Sequence, residues 1–412
     1  MRIGKRHALI WGPFFIFLVA FVLHVNQMFV MFAALGLLAP VSYALGRRKL
    51  AGIDVSRHGK SVMIAGERGA VTLTVRNDGD LRQTFVLVRD RLPDGLESPE
   101  GGEVMAADLP PGGEVPLQYG LLARRRGAYQ VGPPTLVTSD YLGLAQFRRR
   151  IGDTAELLVY PRAIPIPDLW PKSLRGRAPH KSRLRMLGQS SEFFGLRDYA
   201  PGDDMRRVAW KTSAKRGKLS VIESEHTETT DAVILLDLSA RWHAGEGDGA
   251  SIEYAAVLAA SLAEEALQRG ANVGLVAEGA EDRSVLISSN PRQQIVLLEA
   301  LARVAPDCDG GLMPVLARHQ RALTPGCVIA VVSPATDEDA VHVAGRLRAL
   351  EHPVLWCSLA PHTFSGGEPD DEPGYEGFVG RLTAQGARVI RIYGTTPLET
   401  NLWRRGRRVR RG

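Results

Sequence analysis

Two groups of oxygen-bearing side chains have types and spacing that suit chemistry. Asp237-Leu238-Ser239 follows directly on the unbroken apolar run Ala232-Val-Ile-Leu-Leu236. Such a run reads as a strand buried on both faces of a parallel sheet. Ligands of open α/β sheets bind outside the carboxyl ends of such strands. An aspartate and a serine at that end offer the hard oxygens that Mg²⁺ prefers. The second group lies in residues 190–225, where Asp198, Asp203, Asp204, Glu223 and Glu225 could serve a metal-dependent hydrolase. Arg197, Arg206, Arg207, Lys211, Lys215, Arg216 and Lys218 alternate with these acids. Both signs in one short segment favour internal ion pairs or a polar docking surface over a one-sided nucleic-acid patch.

The elements that must position the second group follow from turn and cap chemistry. Tyr199-Ala200-Pro201-Gly202 reads as a tight turn, with proline setting φ and glycine accepting a positive φ. Asp203 then reads as a helix N-cap, with Asp204 in the first turn. Met205, Val208, Ala209 and Thr212 fall on one helical face, Gly217 ends the helix, and residues 219–222 restart as a strand. Trp210 and Ser213 belong to the same segment. A well-capped helix between two domains is the structural reading of this stretch; an interaction surface is the functional one.

At 412 residues the chain is long enough for several domains. Residues 8–23 and 28–45 are almost wholly apolar, each near the length a membrane span requires. With only residues 24–27 between them, they read as a transmembrane helical hairpin within residues 1–49. Arg2, Lys5 and Arg6 precede the first span, and Arg47, Arg48 and Lys49 follow the second. The expected topology is two-pass, with both charged flanks, and so both termini, on the cytoplasmic side. Residues 50–163 alternate in the β period between turn signals such as Asn77-Asp78-Gly79 and Pro93-Asp94-Gly95, so an all-β, immunoglobulin-like sandwich is expected. Residues 164–188 are a basic, proline-rich connector, and 189–229 hold the charged segment described above.

From residue 230 to 403 apolar strand runs at 232–236, 272–276, 327–332, 354–357 and 389–393 alternate with helical patterns at 252–268, 291–304, 338–350 and 375–385. This is a doubly wound α/β domain. An Arg-rich tail, residues 404–412, closes the chain. Its six arginines account for the formal net charge of +6, so the remainder is near neutral and the composition points to no nucleic-acid surface. The three cysteines, Cys308, Cys327 and Cys357, lie far apart and read as small buried apolar residues. No Gly-x-Ser-x-Gly elbow and no glycine-rich lysine loop for phosphate occurs.

The run EFFGLRDYAPGDDMRRVAWKTSAKRGKLSVIESE, residues 192–225, resembles the signature of the bacterial domain of unknown function 58 family. The resemblance implies two membrane spans, a β-rich domain, the signature and a von Willebrand factor A-like region. It further implies a MoxR-type AAA+ ATPase as partner, together with other membrane proteins of its operon. Arg197, Asp198, Tyr199, Pro201, Gly202, Asp203, Asp204, Arg206, Trp210 and Ser213 are the signature residues expected to form the interaction surface. The von Willebrand A fold builds a Mg²⁺ site from Asp-x-Ser-x-Ser with a later threonine and aspartate. Here the pattern reads Asp237-Leu-Ser239-Ala-Arg241, so an arginine stands where the second serine is expected, and its guanidinium is expected beside Asp237 in the cation's place. The site, Asp237, Ser239 and Asp337, is thus expected to be degenerate, with no cofactor. The expected function is a non-enzymatic, membrane-anchored adaptor of chaperone-like or envelope-maturation role that touches the lipid bilayer and no nucleic acid. The alternative is a metal-dependent hydrolase that uses the acids of the signature.

Overall fold

A computed structural model of the chain describes residues 2–143, 145–170, 193–199, 208–224, 231–368 and 373–403. These residues divide into two compact units. One comprises Met1–Ile164, His243–Ala260 and Leu298–Pro306; the other comprises Pro165–Trp242, Ser261–Leu297 and Asp307–Gly412.

The first unit begins with two apolar helices, α1 (Arg2–Leu23) and α2 (Asn26–Lys49). The break between them falls at His24, whose φ of 51° no helix continues. Phe17 packs against Phe32, with ring centroids 5.0 Å apart. By length and composition α2 is long and apolar enough to cross a membrane, and its apolar side chains are exposed, Val30 at 70% and Leu37 at 61%. Trp11–Leu23 of α1 forms a shorter apolar helix.

Eleven strands follow: β1 (Ile53–His58), β2 (Val62–Ile64), β3 (Arg68–Asn77), β4 (Gln83–Arg89), β5 (Leu96–Glu97), β6 (Glu103–Leu109), β7 (Glu114–Ala123), β8 (Gly127–Val131), β9 (Thr135–Ser139), β10 (Gln146–Arg150) and β11 (Ala155–Tyr160). They form two four-stranded sheets, ordered β1-β3-β7-β5 and β10-β9-β4-β6, and a three-stranded one, β2-β11-β8. The four-stranded sheets are antiparallel throughout. Alternation decides what they bury: Leu73 and Val75 of β3 and Val86 and Val88 of β4 enter one shared core with Leu136 and Val159. The charge in that core is paired. Asp90 is buried and accepts from the Arg57 guanidinium and, at 2.6 Å, from the Tyr119 hydroxyl. Burial, with this carboxylate beside it, pushes the Tyr119 hydroxyl well above the usual tyrosine range.

In the second unit β12 (Phe193–Asp198) pairs antiparallel with β13 (Ser220–Ser224), and α3 (Trp210–Arg216) lies between them in sequence. Next along the chain come β14 (Asp231–Leu236), α4 (Ser251–Gln268), β15 (Asn272–Val276), β16 (Val285–Ser288), α5 (Gln293–Arg303), α6 (Leu312–His319), β17 (Val328–Ser333), α7 (Glu338–Ala349), β18 (Val354–Ala360), α8 (Pro361–Phe364), α9 (Pro373–Ala384), β19 (Arg388–Tyr393) and α10 (Leu398–Trp403), of which α4 up to Ala260 and α5 from Leu298 count with the first unit. Their six strands form one sheet in the order β16-β15-β14-β17-β18-β19. All neighbours are parallel except the edge strand β16. On one face α6, α7 and α9 cover the sheet, where Val315, Val343 and Phe378 meet Val331 and Trp356. Strand order reverses at β14: the chain passes to β15 on one side and later returns as β17 on the other. The carboxyl ends of β14 and β17 therefore flank the crevice in which sheets of this kind bind ligands.

Candidate functional site

At that crevice the backbone leaves β14 at Leu236 and turns, which puts Asp237 and Ser239 at the strand's carboxyl end. Both are buried. One Asp237 oxygen accepts from the Ser239 backbone N–H at 2.9 Å and from the Ser239 hydroxyl at 2.5 Å. The other accepts at 2.6 Å from the hydroxyl of Ser333, the last residue of β17. Ser239 Oγ also lies 2.8 Å from the Gly310 carbonyl oxygen, which competes with Asp237 for its single proton, and its backbone bridges to Cys308. Two strand ends thus meet on one carboxylate, and the 307–311 loop meets Ser239 beside it. Ser333 and Gly310 were not among the residues expected from sequence. The signal for Ser333 was present: it is the one polar residue closing an otherwise apolar strand.

Asp337 does not join this group. It is the N-cap of α7, its side chain accepting from the Ala340 N–H at 3.2 Å. Its other carboxylate oxygen takes a 2.7 Å hydrogen bond from Arg241 Nη2. This corrects the expected partner of Arg241: the guanidinium sits on Asp337, not on Asp237. The reason is reach, since the chain turns outward after Ser239 and leaves Arg241 on the rim, where it also lies 5.2 Å from the Trp242 ring. Gly311 permits the next contact. A Cβ there would lie 2.4 Å from a carboxylate oxygen of Asp339, which accepts from the Met313 N–H in the first turn of α6.

These donors fit Mg²⁺ poorly. The ion needs near-octahedral oxygens and keeps several waters. Both oxygens of Asp237 already accept from protein donors, and Asp337 holds a guanidinium. Among the described residues no cluster of three or more histidines, cysteines, aspartates or glutamates is arranged to hold a metal. Strand order is that of dinucleotide-binding sheets, yet the first strand-to-helix turn reads Asp-Leu-Ser where those have their glycine-rich phosphate loop.

Of the signature residues, Pro201, Gly202, Asp203, Asp204 and Arg206 lie outside the described residues, as do 171–188 of the basic connector and the Arg-rich tail. Arg197 and Asp198 are on β12, and Tyr199 follows it, its N–H bonded to the Leu219 carbonyl at 2.9 Å. Trp210 opens α3 and is 59% exposed, while Ser213 is buried. The helix begins later than its apolar spacing suggested. Ala209 occupies the N-cap position with no side-chain cap, and the expected cap, Asp203, lies outside the described residues. Its end is as expected: Gly217 adopts φ 68° and its N–H closes on the Ser213 carbonyl. The cysteines fall in three separate places, Cys327 buried just ahead of β17, Cys357 buried in β18 and Cys308 half-buried beside Ser239.

Comparison with known proteins gives a family and one distant relative. An uncharacterized protein, YeaD of Bacillus subtilis (strain 168), is 26% identical over 227 residues, 54% of this chain and 54% of its own length. The match thus spans about half the length of that relative. Among solved structures, the CARDB domain of PF1109 from Pyrococcus furiosus is 16% identical and covers 26% of this chain and 94% of its own, with a TM-score of 0.20. A cohesin module of a Clostridium perfringens family 33 glycoside hydrolase is 11% identical and covers 27% and 98%, with a TM-score of 0.19. Neither score is high enough to bear on function. Residues 195–359, which run from within β12 through the crevice to most of β18, match the family described as "Protein of unknown function DUF58", and this stretch of the chain is a DUF58 family domain.

Proposed function

We propose that the chain is a membrane-anchored adaptor whose α/β unit recognises another protein and performs no turnover. On this reading the unit is von Willebrand A-like with a degenerate cation site, and the sandwich is an immunoglobulin-like spacer. The apolar helices form a two-pass anchor in a bacterial inner membrane, with both termini in the cytoplasm. The partner is a MoxR-type AAA+ ATPase of the same operon, and the pair serves a chaperone-like or envelope-maturation role.

One observation carries this reading. Arg241 places the protein's own cation on Asp337 at the rim of the crevice, while Asp237 beneath it is held by serine donors. A guanidinium and an exposed Trp210 are side chains that recur in protein-binding surfaces. The test is purification of the full chain from its native membranes in mild detergent. The expected result is co-purification of an AAA+ ATPase that is lost in Arg241→Glu. Recovery of the chain with no ATPase, under conditions that retain other membrane complexes, contradicts it.

A further inference from the structure

Within the first unit the foot of α2 is fixed to residues 140–149 by side chains. Ser42 donates to Asp140 at 2.7 Å, and Asp140 also accepts from the Ala145 N–H at 2.9 Å. Lys49 is buried with its ammonium 3.6 Å from the centre of the Tyr141 ring. Tyr43 packs on Phe147, and a Cβ at Gly46 would lie 2.6 Å from the Phe147 ring and 3.0 Å from the Asp140 backbone. Arg149 of β10 donates at 2.7 Å to the carbonyl of Leu50, the C-cap of α2. The helix therefore enters the β unit through a packed joint, and β10 lies beside its end.

Helix length then fixes the level of that strand. Residues 26–45 rise about 30 Å at ~1.5 Å per residue, the thickness of a bilayer's hydrocarbon core. If α2 spans the membrane, Arg47 and Arg48 stand at the headgroups and β10 stands with them. Strand alternation turns Phe147 and Arg149 toward the joint and Arg148 and Arg150 away from it. Arg47, Arg48, Arg148 and Arg150 are exposed, and among the described residues none is in an ion pair. Tyr141, 55% exposed, adds an aromatic ring of the kind enriched at membrane interfaces.

We propose that Arg148 and Arg150, with Arg47 and Arg48, form a surface that binds anionic phospholipid headgroups beside the membrane helix. The inference rests on the membrane reading above. Charge complementarity selects the occupant: four unpaired guanidinia at headgroup level face a surface whose anionic lipids attract each basic residue. Arginines on an edge strand also deter strand pairing, but that role is indifferent to lipid charge, which separates the two by experiment.

The full chain is reconstituted into nanodiscs of equal parts phosphatidylcholine and phosphatidylglycerol and taken into mild detergent. The lipid it retains is then measured by mass spectrometry. Phosphatidylglycerol should be enriched over its share in the disc. Arg148→Gln/Arg150→Gln should cut that enrichment, by about five-fold for each guanidinium lost, while Arg148→Lys/Arg150→Lys should retain it. Equal enrichment in the wild type and the glutamine variant, or loss in the lysine variant as well, overturns the role of β10. A chain that inserts without enrichment overturns the lipid surface and leaves the membrane anchor standing. A chain that does not insert into these discs, nor into discs of either lipid alone, overturns both.

Discussion

Asp90 in the first unit and Asp237 in the second are both buried, yet they are held in opposite ways. Asp90 accepts from a guanidinium and a phenol, so its charge is cancelled inside the core. Asp237 accepts from two serine hydroxyls and a backbone N–H at the end of a strand. The same contrast recurs around them. In the first unit Arg126 is buried, donates to the carbonyls of Leu301 at 2.8 Å and Val304 at 2.9 Å, and lies 3.3 Å from Glu253. Burial lowers the Arg126 guanidinium and raises the Glu253 carboxyl from their ordinary values. The second unit buries ionisable groups in their neutral form, Cys327, Cys357 and Tyr375 among them. Charge pairs in the first unit tie distant segments of chain together. The second unit keeps its interior neutral and sets an aspartate where the sheet's ligand crevice opens.

Breaking the Asp90 pair should cost most. Arg57→Ala leaves a buried carboxylate without its cation, and a loss of about 3–5 kcal/mol is expected in chemical denaturation. A loss below 1 kcal/mol would show that Asp90 does not depend on charge pairing.

The neutral interior should reveal itself in alkali. Burial pushes the Cys327 thiol up to about 11 and the Cys357 thiol up to about 12, and it raises Tyr375 as well. Groups raised in the folded state contribute stability that is complete below their unfolded values. That contribution is lost as pH climbs through the folded ones. Stability should therefore fall between about pH 9 and about pH 12, by on the order of 3 kcal/mol for Cys327. Cys327→Ala/Cys357→Ala should flatten the part of the profile due to the thiols. An unchanged slope in urea denaturation across this range would refute it.

Ser333→Ala removes one neutral donor from Asp237, and a cost near 1 kcal/mol is expected by the same denaturation. A cost approaching that of Arg57→Ala would erase the distinction between the two carboxylates. Arg241→Ala should matter least to folding. The Arg241 side chain is 56% exposed, and exposed pairs contribute about 0–1 kcal/mol. Its effect belongs on partner binding, and a larger stability loss would make it a structural residue.

Much of this was legible in the sequence because burial on both faces leaves unbroken apolar runs. β14, β17 and β18 stand out in this way, whereas Arg391 interrupts the run of the edge strand β19, and β14 delivered Asp237 and Ser239 to the crevice. What stayed hidden has identifiable causes. The edge strand β16 is four residues long and only partly buried, so it carries little apolar pattern. Helix α6 was not expected; two glycines precede it and Pro314 lies in its first turn, where proline is tolerated. Asp337 was read as a ligand, yet Asp337-Glu338-Asp339 ahead of a helical pattern is a cap with an acidic first turn. The direction of Arg241 was not encoded in spacing, because a turn after Ser239 resets which way the side chain points.

Calorimetric titration of Mg²⁺, then Mn²⁺, into the full chain tests most directly whether the crevice is a protein-recognition site and not a metal centre. No binding at millimolar cation is expected, in the wild type and in Asp237→Ala alike. Tight binding that Asp237→Ala abolishes would contradict it.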